Sequence, residues 1–305
     1  MKKRPVSRTL TGTGSSKPPL GVLTPKTNSP FTYASSNIPK TGKFVLGYGE
    51  PGEGKTTVAA QFPKPLFIIT AGETGIDSAK KVGVADKDIP VVRLEPLYTV
   101  DEIPAGVGHP GFTTTIETLN SFAAGGHDRR TVVIDTLSGM ERIVEQHCAS
   151  LEFNGNMAGR EKDEWNSYGS GVIRTEAYWS SEFLAACQRC IVAGYNVVLL
   201  AHCTIVDIKH PSLPDFKKYQ PDIGKRIFNT TNKIVQYVLF FGRQPEYATD
   251  KKTKKQTVSS MDRFVGVAAE TWYTAKNWDN IQDPIFCGQS AKETYNNLIE
   301  KIDIT

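Results

Sequence analysis

Apolar runs of strand length recur along this chain, each giving way to a polar turn and then to a stretch of helical spacing. The runs cover residues 44–46, 65–70, 89–94, 131–136, 196–202 and 237–241, and each reads as a strand. Residues 57–62, 114–124, 137–150, 173–193, 225–236 and 291–302 carry the helical spacing. Strands alternating with helices predict an α/β fold, three-layered around a mainly parallel sheet. Residues 155–170 and 210–224 read as polar loops, the second rich in lysine with Lys209, Lys217, Lys218, Lys225 and Arg226 in or beside it. Residues near 247 and 264–268 read as the arms of a C-terminal β-hairpin with Lys251-Lys252-Thr253-Lys254-Lys255 at its tip. Residues 1–40 show no apolar period and read as a disordered basic tail, leaving 41–305 as the folded domain.

The turn after the first run is Gly49-Glu50-Pro51-Gly52-Glu53-Gly54-Lys55-Thr56, a full match to G-x-x-x-x-G-K-[ST] between a strand and a helix. The glycines let the backbone turn tightly and aim several N–H groups at phosphate oxygens, and the following helix adds its positive end. Lys55 is placed to reach the β- and γ-phosphates, and Thr56 to offer its hydroxyl to Mg²⁺. With Thr57, these residues form the expected ATP-binding segment of a P-loop NTPase. A glycine-rich turn that merely carries Lys-Thr is the plainer alternative.

Asp135 closes the run 131–136, about 80 residues further on. An acid at the carboxyl end of a strand beside the P-loop can accept hydrogen bonds from Mg²⁺-bound waters or from Thr56, the Walker B role. Thr136 follows it, so the water-activating base must come from elsewhere. Glu73, just beyond the strand at 65–70, is the best candidate because adjacent parallel strands deliver their ends to one crevice; the plainer reading is a turn carboxylate. His202, at the end of the run 196–202, either positions the γ-phosphate or is structural. Trp165 and Tyr168 either stack on bases or cap the core.

Composition narrows the setting. At 305 residues, 39% hydrophobic and 22% charged, the chain has the make-up of a soluble globular protein. No apolar run approaches the ~18 residues of a membrane span, and 1–4 are not followed by a secretory core, so a cytoplasmic location and no membrane partner are expected. The five cysteines are scattered and read as reduced thiols; Cys187-x-x-Cys190 is the one close pair, with no second pair beside it to complete a zinc site. Net charge is +4, yet eight basic residues and no acid precede Glu50, so the remainder is mildly acidic. The tail reads as a solvated leader, an electrostatic arm for nucleic acid or an organellar presequence, and the basic tip at 251–255 as a solvated turn or a nucleic-acid contact.

The stretch 47–67, the strand ending at Asp135, Leu200-Ala201-His202 and Ala275-Lys276-Asn277 together resemble the phage-type AAA-domain nucleotide-binding proteins, RecA-like ATPases of phage single-strand annealing and recombination. The resemblance covers residues 42–300. It implies a RecA-like core, Mg-ATP as ligand, a homo-oligomer, and single-stranded DNA as partner. It implies Lys55 and Thr56 as phosphate and Mg²⁺ groups, Asp135 as the Walker B acid, Glu73 as base and His202 as strand-end sensor. Lys276 would be a lysine finger reaching a neighbour's γ-phosphate. The sequence departs from the family at 70–73, where Thr70-Ala71-Gly72 precede Glu73 in place of an acid directly ending the strand. The activity expected is ATP hydrolysis stimulated by DNA or by assembly. The alternative is a nucleotide-gated binding module or a remodelling ATPase with a protein partner; a small-molecule kinase or a GTPase fits less well, for want of an Arg-rich lid or an Asn-Lys-x-Asp motif.

Overall fold

A computed structural model describes residues 41–94, 103–209, 214–249 and 256–302. The basic tail 1–40 and the tip at 251–255 lie outside the described residues. Ten strands and eight helices follow in the order β1 (Phe44–Gly49), α1 (Lys55–Ala59), β2 (Pro65–Ile69), α2 (Gly75–Lys81), β3 (Val91–Arg93), α3 (Pro110–Ala124), β4 (Thr131–Asp135) and α4 (Leu137–Glu152), then α5 (Ser170–Tyr178), α6 (Ala185–Val192), β5 (Asn196–Ala201), β6 (Cys203–Ile208), β7 (Phe216–Pro221), α7 (Lys225–Ile234), β8 (Tyr237–Thr249), β9 (Gln256–Gly266), β10 (Ile285–Phe286) and α8 (Ala291–Ile299). Eight strands form one sheet in the order β10-β9-β8-β1-β5-β4-β2-β3. From β3 to β8 every pairing is parallel, while β9 and β10 add antiparallel strands at one edge. This is the expected α/β arrangement, a mainly parallel sheet with helices and a C-terminal antiparallel addition.

The central strands are apolar because they are covered twice. Every residue of β1, β4 and β5 is buried, and successive side chains alternate between two cores. Leu46, Ile134 and Leu199 face Met140, Trp179 and Phe183 on one side. Val45, Val133 and Val198 face Val58 of α1, Ile76 of α2 and Leu298 of α8 on the other. The helix expected at 173–193 is α5 and α6 joined through a π-helical stretch, Trp179–Leu184; there Trp179 packs at a tilt against Phe183, ring centroids 4.5 Å apart, and donates its indole N–H to Thr231 Oγ1 at 2.9 Å.

Three local readings change. Residues 210–224 are not simply a loop: β6 and β7 form an antiparallel ribbon, pairing Cys203 with Pro221 through Ile208 with Phe216. The lysines of β7 and its closing proline hid the strand from hydropathy. Trp165 and Tyr168 part company, Trp165 being buried edge-on against Phe153 at 5.3 Å while Tyr168 is fully exposed at φ 50°. The run 237–241 does not stop before the hairpin but continues unbroken to Thr249 as its first arm. The short elements α2 and β10 carried too little period to be seen. Cys187 and Cys190 are both fully buried, and burial pushes the Cys190 thiol up to about 12, which makes it a poor nucleophile. No helix among the described residues is long and apolar enough to cross a membrane.

Tyr48, the last residue of β1 before Gly49, ties this frame to the C-terminal segment. Its buried hydroxyl lies 2.6 Å from the Thr274 carbonyl and 3.1 Å from that of Tyr219, and accepts the Thr274 N–H at 2.9 Å. Tyr48→Phe strands these buried groups and is expected to cost about 1–3 kcal/mol. A denaturant titration with an unchanged midpoint would contradict that role.

Candidate functional site

Parallel pairing brings four strand ends to one edge. Tyr48 pairs with Ala201, Asp135 with Leu200, and Ile69 with Asp135, so the residues that follow β1, β5, β4 and β2 open onto the same crevice. Gly49 begins the loop where a side chain would run into the Phe241 carbonyl. Gly54 ends it at φ 89°, a left-handed conformation that glycine adopts without strain, and gives α1 no side-chain cap. The Val58 N–H and Thr57 Oγ1 both donate to the Gly54 carbonyl, at 2.9 and 2.7 Å.

Lys55 is buried and folds back so that Nζ donates to the carbonyls of Gly49 at 2.8 Å and Glu50 at 2.9 Å. Burial holds its pKa below the usual lysine range, opposed by the Asp135 carboxylate. Thr56 Oγ1 donates to Asp135 Oδ2 at 2.8 Å. Burial pushes the Asp135 carboxyl up to about 6, against the Thr56 hydrogen bond. Thr136, joined to Asp135 by a cis peptide, caps α4 through its hydroxyl, and its N–H donates to Thr70 Oγ1 at 3.1 Å.

Glu73 is brought to the same edge. Its Oε1 accepts from Thr136 Oγ1 at 3.4 Å and lies 3.1 Å from His202 Nε2. The His202 hydrogen bond holds the Glu73 carboxyl below the usual range, and Glu73 in turn holds the His202 imidazole above its ordinary value. The other ring nitrogen, Nδ1, is buried without a hydrogen-bond partner among the described residues. Lys55, Thr56, Glu73, Asp135 and His202 therefore form one constellation.

Two sequence candidates lie elsewhere. Glu53 turns from the loop's interior toward the β8–β9 hairpin, where its carboxylate meets Arg243 at 2.8 Å and Arg263 at 3.6 Å. Lys276 is not part of the constellation. Its backbone bridges Val238, which pairs with Leu46 three residues before Gly49, and Nζ donates to the carbonyls of Asn232 at 2.5 Å and Val235 at 2.7 Å. It closes the end of α7 in its own chain. Sequence reasoning missed Thr70, whose hydroxyl orients Thr136, and the two arginines. Thr136 had a local signal, as a helix-capping residue next to Asp135. The arginines had none, lying 190 and 210 residues from Glu53.

The donor set fits a nucleoside triphosphate with a divalent cation. A buried lysine occupied only by its own loop's carbonyls can exchange them for phosphate oxygens, and a Thr hydroxyl paired to a buried carboxylate is the usual oxygen set for Mg²⁺. Among the described residues no group of three or more His, Cys, Asp or Glu is placed to hold a metal by itself.

The sequence model described as "AAA domain" matches residues 41–277, more than three quarters of the chain. The chain belongs to the AAA domain family. It is thus a P-loop ATPase. Solved structures similar to this AAA domain include a KaiC-like protein from Pyrococcus horikoshii, at 12% identity over 83% of this chain and 88% of that one with a TM-score of 0.40. The flagellar accessory protein FlaH of Methanocaldococcus jannaschii is similar at 10% identity over 81% and 85%, with a TM-score of 0.41. A comparison with curated proteins gives no match.

Lys55→Ala in this AAA domain removes the one buried cation of the loop and is expected to weaken ATP binding by at least about 100-fold, the loss of a charge-assisted hydrogen bond in a dry site. Equilibrium titration with a fluorescent ATP analogue checks this, and undiminished affinity would overturn the site assignment.

Proposed function

We propose that this ATPase hydrolyses Mg-ATP at a rate set by single-stranded DNA, in DNA recombination or single-strand metabolism of the phage type. The observation that carries the reading is the position of His202. Its imidazole meets Glu73, its carbonyl accepts the Asp222 N–H at 2.9 Å, and β6 begins at the next residue. The ribbon β6–β7 therefore leaves the sheet at His202 and returns to it at Asp222. Its return is anchored to α4, with Ser138 Oγ donating to the Asp222 carbonyl at 2.6 Å and the Gly224 N–H shared by both Glu141 oxygens at 2.9 Å. A ligand on the ribbon acts one residue away from the candidate base.

The ribbon's chemistry suits a nucleic-acid backbone. Lys217 is exposed opposite Asp207, Lys218 sits opposite Val206, Ile205 is 53% exposed, and Lys209 lies just beyond β6. Lysines beside an exposed apolar position can neutralise phosphates while presenting surface to bases. The resemblance in the P-loop segment and in Leu200-Ala201-His202 supports the same partner, and a homo-oligomer.

In the mechanism, Glu73 is ionised because His202 holds it so, and it orients the attacking water and takes its proton as the water oxygen bonds to the γ-phosphorus and the bond to ADP breaks. Such a base contributes about 10²–10⁴-fold. Lys55 and the loop N–H groups stabilise charge growing on the phosphate oxygens. Mg²⁺ on Thr56 and Asp135 would supply the remaining charge neutralisation. Protonated His202 keeps Glu73 in place and offers Nδ1–H as a further donor.

Steady-state hydrolysis with and without single-stranded DNA, at two protein and two salt concentrations and with Lys55→Ala as blank, tests the reading. DNA is expected to raise the rate, less so at high salt; a rate indifferent to DNA would sink it and turn the search to protein partners. Glu73→Gln should lower turnover by about 10²-fold or more while ATP still binds; equal rates would favour a nucleotide-gated binding module.

The pH dependence has a definite sign. His202 faces Glu73 and Asp135, which raise its pKa, and Lys55, which lowers it, the net shift being upward. The imidazolium is thus fully present below the ordinary histidine value and lost as pH rises through the raised one. Turnover should fall along that alkaline limb, and His202→Gln should abolish the limb. A limb that persists in the variant would assign the titration elsewhere.

A further inference from the structure

The antiparallel pairing of β8 with β9 sets Arg243 directly opposite Arg263. Two like charges facing each other on one sheet face are destabilising by themselves. Both converge on Glu53 of the phosphate loop, whose side chain is only 8% exposed, at 2.8 and 3.6 Å, and Arg263 Nη2 also lies 3.5 Å from the Gly52 carbonyl. The carboxylate and the arginine pair therefore need each other: the loop supplies the anion that lets the hairpin close, and the hairpin supplies the cations that let a carboxylate sit in a loop built for phosphate. Lys55 contacts only the loop's carbonyls, so it leaves Glu53 to the arginines.

We propose that Arg243 and Arg263 are positioning residues for ATP, holding the phosphate loop in its binding shape through Glu53, so that the antiparallel addition is a working part of the nucleotide site. The inference rests on the ATPase reading of the site. A carboxylate among phosphate-binding amides repels the ligand unless it is neutralised, and the arginine pair does so while pinning Gly52 and Glu53 between two strands. No phosphate contact by either arginine is required.

The sign of one substitution separates this from simple electrostatics. If Glu53 were only a stray negative charge beside the phosphates, Glu53→Gln would tighten ATP binding. As the centre of a clamp, Glu53→Gln releases two opposed guanidinium groups and the loop they hold. ATP affinity, measured with a fluorescent analogue, is then expected to weaken about tenfold or more, as misplacement of a binding group does. Arg243→Gln should weaken it comparably, and the double variant should be no worse than the poorer single one, because all three groups act as one unit. Tighter binding by Glu53→Gln, or losses that multiply in the double variant, would overturn the proposal. Arg243 is exposed, so Arg243→Lys serves as the variant that cannot be dismissed as unfolded: keeping the charge but losing the planar fork, it should restore only part of the affinity lost in Arg243→Gln. Lys55→Ala is run beside them. If it too binds ATP normally, the nucleotide-site reading fails; if it alone fails to bind, the clamp fails and the site stands.

Discussion

The hydrogen bond from Thr56 to Asp135 joins the first turn of α1 to the end of β4, and the rest of the site is arranged around it. It crosses one intervening strand of the sheet, since β5 lies between β1 and β4. It can form only if β1, β5 and β4 run parallel in a register that ends them together. That register is enforced by burial. A slip of one residue would turn Leu46, Ile134 and Leu199 from one core to the other and send Val45, Val133 and Val198 the opposite way, emptying and overfilling both cores at once. The chemistry at the strand ends is therefore as well fixed as the packing beneath it.

Charge is balanced within that edge. Lys55 and Asp135 are both buried, and burial moves each toward its neutral form, lysine downward and carboxyl up to about 6. In each case the opposite charge of the other opposes that shift, as does the Thr56 hydrogen bond for Asp135. Glu73 and His202, more exposed, move each other toward the charged forms. The edge thus holds one pair that resists charge and one that favours it. In the proposed mechanism a polyphosphate with its divalent cation would relieve the first pair, leaving the second to handle a proton.

The main frame was legible in the sequence because both faces of β1, β4 and β5 are covered, so their apolar runs are continuous and their polar ends stand out. Gly49 to Thr57, Asp135, Glu73 and His202 could all be read from their places at such ends. Where a strand is half wet the signal failed: β7 reads Phe-Lys-Lys-Tyr-Gln-Pro, and its pairing with β6 depends on cross-strand contacts, not on hydropathy. Lys276 was placed by resemblance alone, and in this fold its ammonium closes the end of α7. The grip of Arg243 and Arg263 on Glu53 had no local signature, because an ion pair between distant segments exists only once the sheet order is known.

The departure at 70–73 shows how a turn returns an acid to the crevice although it stands three residues beyond the strand. An acid directly ending β2 would need no turn; here three residues intervene. Thr70 takes the strand-end position and uses it twice, its N–H on the Asp135 carbonyl at 2.8 Å and its hydroxyl receiving the Thr136 N–H. The chain then turns, with the Glu73 N–H on the Thr70 carbonyl at 3.3 Å and Gly72 in the left-handed region at φ 89°. Those two conditions bring the Glu73 carboxylate back over the end of the sheet, onto Thr136 and His202. The added residues therefore lengthen the path to the acid without moving it from the crevice. They also place a threonine where it orients the residue beside Asp135, so that the candidate base and the candidate metal-binding acid are set by one turn.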